Sequence, residues 1–249
     1  MIQLLRHKLI KYLRFFFNKT KYLLVPKTKY LEDKYFSYAE YVCGGGMLEK
    51  GNIYVWDYVI QKLDKKSNIL EIGSFVGLST VIITYLSKKY KKDINFYNVD
   101  FWKLQDDNKD FFDKELKFKE YNEFVKKTYI NNLIFFHSKD LPYSIHDTSQ
   151  SFFLSKEKDE ELTDIFNRKV KLPEKFDFCF IDGDHSYDGA KLDFLNVNKH
   201  LNKGAYILFD DSSDGSGFGG INKLMSEVLK NPNFKLIMKN PNYLFQKIK

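Results

Sequence analysis

From residue 68 onward, short runs of continuous apolar residues alternate with segments whose apolar residues recur at helical spacing. Such alternation is typical of a parallel sheet that carries helices on both faces. The chain therefore predicts an α/β fold, with a Rossmann-like, doubly wound, seven-stranded, mostly parallel sheet and an antiparallel C-terminal hairpin. The predicted strands are NILEIG (68–73), INFYNVD (94–100), LIFFHS (133–138), FDFCFID (176–182), AYILFDD (205–211), FKLIMKN (234–240) and NYLFQKI (242–248).

Charge divides the chain into two parts. Residues 1–31 contain eight Lys or Arg residues and no acid, whereas the rest holds 32 basic and 33 acidic side chains. The net charge of +7 is thus a property of the N-terminal arm, and the near-neutral body speaks against a nucleic-acid partner. We predict a basic N-terminal helical arm and linker at residues 1–45. A main domain follows at residues 46–249, with a highly charged insertion at about 141–172.

The arm has helical periodicity, since Leu5, Leu9 and Phe16 fall on one face. Three roles remain open for it: packing on the main domain or on a second subunit of a homo-oligomer, peripheral membrane contact through residues 1–30, or contact with an acidic substrate. No apolar run approaches the roughly 20 residues that span a bilayer, and no signal-peptide cleavage site follows. Cys43 and Cys179 form no CxxC pair, which favours a reducing compartment, and we expect a cytoplasmic protein.

Ligands of open parallel sheets gather at the carboxyl ends of the strands. The first predicted strand runs into Gly73 and Gly77, whose GxxxG spacing is not the dinucleotide fingerprint because Phe75 replaces the middle glycine. The second strand ends at Asp100, 27 residues beyond Gly73, where an acid accepts hydrogen bonds from ribose hydroxyls. Together these features indicate a cofactor that bears a nucleoside. The alternatives are a tight turn at the glycines and an Asp100 that only caps the following helix.

Three carboxylates follow the fourth and fifth predicted strands. Asp182 ends the fourth strand, and Asp210 and Asp211 end the fifth. Neighbouring parallel strands would bring them together, and each would raise the pKa of the others unless a cation neutralised them. Oxygen ligands favour Mg²⁺ or Mn²⁺, so we predict that Asp182, Asp210 and Asp211 hold a divalent metal. The alternative is that some of these acids cap helices or pair with lysine.

The segments EIGSFVGLS, NVD, FDFCFIDGDHSYDGAKLDF and LNKGAYILFDD, in this order, resemble the class I S-adenosylmethionine-dependent methyltransferases. More narrowly, they are similar to methyltransferase family 24 and to the metal-dependent macrolide and sugar O-methyltransferases. The resemblance covers roughly residues 50–249 and implies S-adenosyl-L-methionine as the cofactor. The cofactor-binding residues that it implies are Glu71, Gly73, Ser74, Phe75, Gly77, Ser79, Asp100, Ser138 and Asp182. Among them, Asp100 would bind the ribose, and Ser138, just after the third strand, would lie beside the adenine.

Two residues next to Asp182 are candidates for the catalytic base that takes a proton from the acceptor. Asp184 is the first choice, and His185 is the second because its ordinary pKa suits proton transfer. We expect an S-adenosylmethionine-dependent O-methyltransferase, assisted by a divalent cation, that acts on a hydroxyl of a sugar, glycan or related small molecule. The alternatives are a metal-independent methyltransferase of another small-molecule class, a nicotinamide-dependent oxidoreductase, and a membrane-attached protein that keeps the fold without catalysis.

Overall fold

The computed structural model describes residues 27–44, 47–111 and 113–249. The helix predicted within residues 1–17 lies outside these ranges. Seven strands form one sheet in the spatial order β10-β11-β9-β8-β1-β2-β5, and every pair in it is parallel except β9–β11 and β10–β11. The strands are β1 (Lys66–Ile72), β2 (Asp93–Asp100), β5 (Tyr143–His146), β8 (Phe176–Ile181), β9 (Leu201–Phe209), β10 (Phe234–Lys239) and β11 (Tyr243–Lys247). The predicted fold class is confirmed, including the C-terminal hairpin.

Helices cover both faces of this sheet, and each face has its own hydrophobic core. The first face packs against α1 (Lys34–Val42), α2 (Gly51–Lys62), α3 (Leu78–Lys89) and α4 (Phe118–His137). The second face packs against α5 (Ser149–Glu157), α6 (Tyr187–His200) and α7 (Gly219–Val228). Two small hairpins lie outside the sheet, β3 (Asp110–Phe111) with β4 (Asp113–Lys117) and β6 (Leu162–Thr163) with β7 (Lys169–Val170).

Alternation along β1 shows why both faces must be covered. Ile69 belongs to the first core, whereas Leu70 and Ile72 belong to the second. Because successive side chains of a strand point to opposite faces, a strand that is apolar throughout is stable only between two layers of helix. The first core also contains Phe36 and Ala39 of α1. Helix α1 is therefore built into the main core, although the sequence placed it in the arm and linker.

The prediction of a strand at LIFFHS (133–138) is wrong, because these residues form the end of α4 and Ser138 is its C-cap. Val125, Tyr129 and Leu133 are buried at four-residue spacing, while Ile134 and Phe135 are exposed. The apolar run therefore follows a helical period that a reading of six residues does not reveal. The edge strand is β5 instead, which lies inside the segment predicted as a charged insertion and pairs with β2.

Two further expectations can be compared with the structure. Within the described ranges, no helix combines the length and the apolar character needed to cross a membrane. Cys43 and Cys179 are both free and buried, so they serve as small core side chains.

Candidate active site

Residues 73–77, the glycine loop, connect β1 to α3 in a conformation that requires glycine at both ends. Gly73 has φ +84° and Gly77 has φ +88°, a region that other residues rarely adopt. A Cβ atom on Gly73 would lie 2.0 Å from the backbone oxygen of Asp182, and one on Gly77 would lie 2.9 Å from the ring of Tyr129. The glycines thus let the loop pass closely between the end of β8 and helix α4.

Asp100, at the end of β2, holds this loop in place. Its Oδ2 accepts hydrogen bonds from the backbone N–H groups of Ser74, at 2.7 Å, and Phe75, at 2.9 Å. Its Oδ1 accepts one from the N–H of Trp102 at 2.6 Å, and the Trp102 indole N–H donates to the Phe75 oxygen at 2.9 Å. Burial raises the pKa of Asp100, and the three backbone N–H groups oppose that rise. Ribose binding by Asp100 stays a prediction, and the role of Asp100 in ordering the loop was not predicted from the sequence.

Glu71 and Ser74 are polar groups buried beneath and within the loop. Glu71 Oε2 accepts hydrogen bonds from the Thr80 hydroxyl at 2.5 Å and from the Asn98 amide at 3.1 Å. Burial raises the pKa of the Glu71 carboxyl to about 7. Ser79 lies beside Thr80 in the first turn of α3 and is also buried. Ser74 Oγ is buried and has no hydrogen-bond partner among the residues that the structure describes. A polar cofactor group would satisfy that hydroxyl, so the loop fits the polar end of S-adenosylmethionine.

Backbone hydrogen bonds bring the ends of three strands to one edge. The N–H groups of Gly73, Asp182 and Asp210 donate to carbonyls at the ends of the neighbouring strands β2, β1 and β8, at 3.0, 2.8 and 2.9 Å. Asp182, Asp210 and Asp211, which we call the carboxylate cluster, therefore lie beside the glycine loop. His185 Nε2 is 3.4 Å from Asp182 Oδ1 and 3.3 Å from Asp211 Oδ2, so the imidazole lies between two of the three carboxylates.

The carboxylate cluster concentrates negative charge in a partly buried place. Burial, and then the charge of Asp211, raises the pKa of Asp182 well above its usual range. Burial, and then the charge of Asp182, does the same for Asp210, while His185 opposes the rise at Asp211. Protons or a cation would relieve this repulsion. No group of three or more His, Cys, Asp or Glu side chains in residues 27–44, 47–111 and 113–249 is arranged to hold a metal ion. The donor set suits a hard cation, but in this arrangement a histidine ring lies against two of the carboxylates.

The two candidate bases lie in different surroundings. Asp184 is exposed, and its Oδ1 accepts a hydrogen bond from Ser186 N–H at 2.7 Å, just before α6. Its Oδ2 is so close to Gly189 that a Cβ there would lie 2.2 Å away. His185 instead faces the carboxylate cluster, and its ring centre is 4.6 Å from that of Phe218. His185 therefore lies against the carboxylate cluster, whereas Asp184, the first choice from the sequence, lies at the start of α6.

Ser138 does not lie at the carboxyl ends of the strands. It follows α4, next to the Lys88–Asp140 ion pair of 2.9 Å at the far end of α3 from the glycine loop. The strand end beside Asp100 carries His146, which pairs with Asp100 in the β2–β5 register. His146 Nε2 lies 3.0 Å from the Phe101 carbonyl oxygen. Ser138 therefore does not lie at the strand end where the sequence placed it, and His146 is the residue at the strand end beside Asp100. Only a correct assignment of the four-residue strand β5 would have revealed it.

Two sequence comparisons relate this chain to known proteins. A protein-family model described as a methyltransferase domain matches residues 70–212. An uncharacterized protein of Acanthamoeba polyphaga mimivirus is 32% identical over 90 residues. This aligned segment is 34% of the chain and 39% of the viral protein, so it spans about two fifths of that relative.

Structural comparisons extend over most of the chain. The O-methyltransferase from Bacillus cereus in complex with SAH has a TM-score of 0.55 at 14% identity, over 93% of this chain and 96% of that one. SAH-bound methyltransferase from Podospora anserina has a TM-score of 0.57 at 12% identity, over 95% and 96%. The O-methyltransferase TomG from Streptomyces achromogenes, involved in tomaymycin synthesis and bound to SAM, has a TM-score of 0.54 at 11% identity, over 88% and 92%. At these identities the similarities establish a shared fold.

Proposed function

Because this chain belongs to methyltransferase family 24 and is an S-adenosylmethionine-dependent methyltransferase, we propose that it methylates a hydroxyl oxygen of a small-molecule acceptor. The observation that carries the proposal is the position of His185, between Asp182 and Asp211 and beside the glycine loop. A hydroxyl acceptor must lose a proton, and an imidazole flanked by carboxylates is suited to take it. Family membership favours methyl transfer over the nicotinamide-dependent alternative. The O-methyltransferases with the same fold support oxygen as the acceptor atom.

We propose the following division of labour among the residues of this chain. The glycine loop, Asp100 and Ser74 bind the cofactor, which supplies an activated methyl group when bound. The His185 imidazole accepts the hydroxyl proton of the acceptor at Nδ1, because Nε2 faces Asp182 and Asp211 and donates its hydrogen to them. Asp182 and Asp211 orient the ring and stabilise the imidazolium that forms, since opposite charges at this distance attract strongly in a partly buried site.

The acceptor that we propose is a sugar, a glycan or a related polyol. Carboxylates and imidazole accept hydrogen bonds from hydroxyls, and the half-exposed ring of Phe218 beside His185 offers an apolar face next to them. The adjacent hydroxyls of a sugar or polyol can donate hydrogen bonds to the carboxylates of the cluster. The test is transfer of labelled methyl groups from S-adenosylmethionine to a panel of sugars and glycans. His185→Asn is expected to lower kcat by about 10²–10⁴-fold and to leave the Kd of S-adenosylmethionine unchanged. Equal turnover by the variant would contradict the assigned base.

A divalent cation, Mg²⁺ or Mn²⁺, is the second part of the proposal. Asp182, Asp210 and Asp211 are the residues that would hold it, and relief of their mutual repulsion is the reason to expect it. Such an ion supplies charge stabilisation and orientation at an acceptor oxygen.

Isothermal titration of S-adenosylmethionine, with and without Mg²⁺, tests cofactor and cation separately. Asp210→Ala should abolish the Mg²⁺ signal, and Asp177→Ala should not, because Asp177 lies at the opposite end of β8. Cofactor binding that does not respond to Mg²⁺ would contradict the proposed cation but not the proposed methyl transfer. Absence of cofactor binding would reject the proposed cofactor site.

We also propose that residues 1–30 contact acidic membrane surfaces and that the protein forms a homo-oligomer. The excess of Lys and Arg in the arm supports the first idea, and exposed aromatic side chains such as Tyr41 and Phe135 support the second. Light scattering of the full chain, alone and with vesicles of acidic lipid, measures both. A protein that stays monomeric and does not bind the vesicles would contradict both the membrane contact and the homo-oligomer.

A further inference from the structure

Asp210 differs from the other members of the carboxylate cluster in its surroundings. It is 4% exposed as a residue, whereas the side chains of Asp182 and Asp211 are 28% and 33% exposed. Its Oδ1 accepts hydrogen bonds from two side-chain amides, Asn52 at 2.6 Å and Asn242. Both asparagines are buried, at 0% and 1% exposure. Two donors from distant parts of the chain therefore converge on one oxygen of one carboxylate.

The two asparagines also bind each other and the loop that follows β9. Asn242 Nδ2 lies 3.1 Å from Asn52 Oδ1. Asn242 Oδ1 accepts hydrogen bonds from the backbone N–H groups of Ser212, at 3.0 Å, and Ser213, at 3.1 Å. These residues directly follow Asp211, which has a strained φ of +50°. A strained backbone persists only where its surroundings over-determine it, and Asn242 supplies that support.

The fold brings the asparagines to Asp210 through a close contact between α2 and the β10–β11 turn. Asn52 is the second residue of α2, and Asn242 ends the turn that Asn240 begins. Asn240 Nδ2 donates to the Gly51 carbonyl at 3.0 Å, and a Cβ on Gly51 would lie 2.0 Å from the Asn240 backbone oxygen. Glycine at position 51 therefore permits the approach that sets both amides against Asp210.

We propose that Asn52 and Asn242 are positioning residues that hold Asp210 by its Oδ1 and thereby set the geometry of the whole carboxylate cluster. The proposal rests on the proposed function, since it concerns the same edge of the sheet. The Asp210 carboxyl also hydrogen-bonds with the side chain of Asp182 and with the backbone N–H of Asp211, so its orientation is passed on to the other two members of the cluster. Fixed donors keep this orientation without reorganisation when a ligand arrives.

The test compares three full-length variants. Asn242→Ala and Asn52→Ala each remove one amide donor to Asp210 and add no charge. Asn68→Ala is the matched control, because Asn68 donates to the Lys175 carbonyl near the start of β8, away from the cluster. Circular dichroism establishes that each variant is folded. A variant that fails to fold is replaced by Asn→Ser at the same position.

The readouts are the Kd of Mn²⁺ from paramagnetic-resonance titration and the Kd of S-adenosylmethionine from calorimetry. We expect Asn242→Ala and Asn52→Ala to weaken Mn²⁺ binding by about tenfold or more, since each loses a hydrogen bond to a charged group. Cofactor affinity should stay within about threefold, and Asn68→Ala should change neither constant. A purely structural role would lower stability without changing the Mn²⁺ Kd of the folded protein, and that result would overturn the proposal.

Failure of the proposed function gives a different pattern. Wild type that binds no S-adenosylmethionine contradicts the cofactor site, and wild type that binds the cofactor but no Mn²⁺ contradicts the cation alone. In either case crystal structures of wild type and Asn242→Ala decide the inference. A different orientation of the Asp210 carboxylate would support it, and an unchanged orientation would overturn it.

Discussion

At the scale of single residues, three of the six non-glycine residues with positive φ among the described residues lie at the functional edge. Phe75, Trp102 and Asp211 have φ values of +47°, +46° and +50°, and each lies in the loop after a different strand of the sheet. Such conformations cost about 1–3 kcal/mol each and persist where the surroundings impose them. Here Asp100 binds the N–H groups of Phe75 and Trp102, and Asn242 binds those just after Asp211. The carboxylate and amide side chains therefore hold the loops in shape as well as offering groups to ligands.

Two glycines allow backbone strain and steric clash to be separated. Gly73 and Gly204 both have positive φ, at +84° and +89°, but only Gly73 has an atom within 4 Å of the place where a Cβ would stand. We expect Gly204→Ala to cost about 1 kcal/mol from the backbone alone. Gly73→Ala should cost at least about 2 kcal/mol more, because the Asp182 carbonyl must move, and cofactor binding should fall with it.

Urea denaturation and titration with S-adenosylmethionine measure the two effects. Equal losses of stability in both variants would mean that the glycine loop can move away from β8 freely. The contact between a Cβ at position 73 and the Asp182 carbonyl would then contribute nothing to the loss of stability.

At the scale of elements, the end of α4 and the short strand β5 exchange the roles that the sequence suggested. The four-residue strand β5 brings His146 beside Asp100, and the last turn of α4 takes Ser138 to the opposite end of α3. An edge strand needs only a few backbone hydrogen bonds to one neighbour, so its sequence signal is weak. The end of α4, LIFFH, has more apolar residues than β5, YSIH, so its sequence matches the pattern of a buried strand better.

This exchange predicts opposite outcomes for two substitutions. His146→Ala should weaken S-adenosylmethionine binding by about three- to tenfold, because the ring lies next to Asp100, for which we propose ribose binding, and packs near Trp102. Ser138→Ala should leave the affinity unchanged, since that side chain is exposed at the end of α4. Calorimetric titration of both variants is sufficient. A loss of affinity in Ser138→Ala alone would contradict the placement of the cofactor.

At the scale of the whole molecule, His137 ties three helices together in an uncharged state. It ends α4, and its Nε2 lies 2.9 Å from the Val81 carbonyl of α3 and 3.2 Å from the Tyr35 hydroxyl of α1. Burial lowers the pKa of His137 to about 4. Below pH 6.5 the unfolded chain binds a proton there that the folded protein does not, so stability falls as the pH falls from 6.5 to 4.

Replacement of this histidine should remove that part of the pH dependence. His137→Gln lacks the titrating group, so the stability of wild type relative to the variant should drop by about 3 kcal/mol between pH 7 and pH 4. Burial of Glu71 gives a slope of the opposite sign, because its pKa is raised to about 7, but that slope is common to both proteins. Urea denaturation across this range measures the difference. A difference that does not change with pH would mean that folding leaves the pKa of His137 unchanged.

Local patterns in the sequence were sufficient for the fold class and for much of the site. Apolar runs, glycines and strand-end acids predicted the doubly wound sheet, the glycine loop, Asp100 and the carboxylates of β8 and β9. These features are local, because each depends on residues that are neighbours along the chain. The periodicity of a six-residue run did not distinguish the end of a helix from a strand, so Ser138 was misplaced.

Tertiary structure alone decided which side chains meet. Asn52 and Asn242 are 190 residues apart and reach Asp210 only because α2 packs against the C-terminal turn. Asp184 and His185 are adjacent in sequence, yet the turn before α6 leads one to the helix and the other to the carboxylate cluster. Local propensity determines elements and their ends, whereas the partners of a polar side chain follow from how those elements pack.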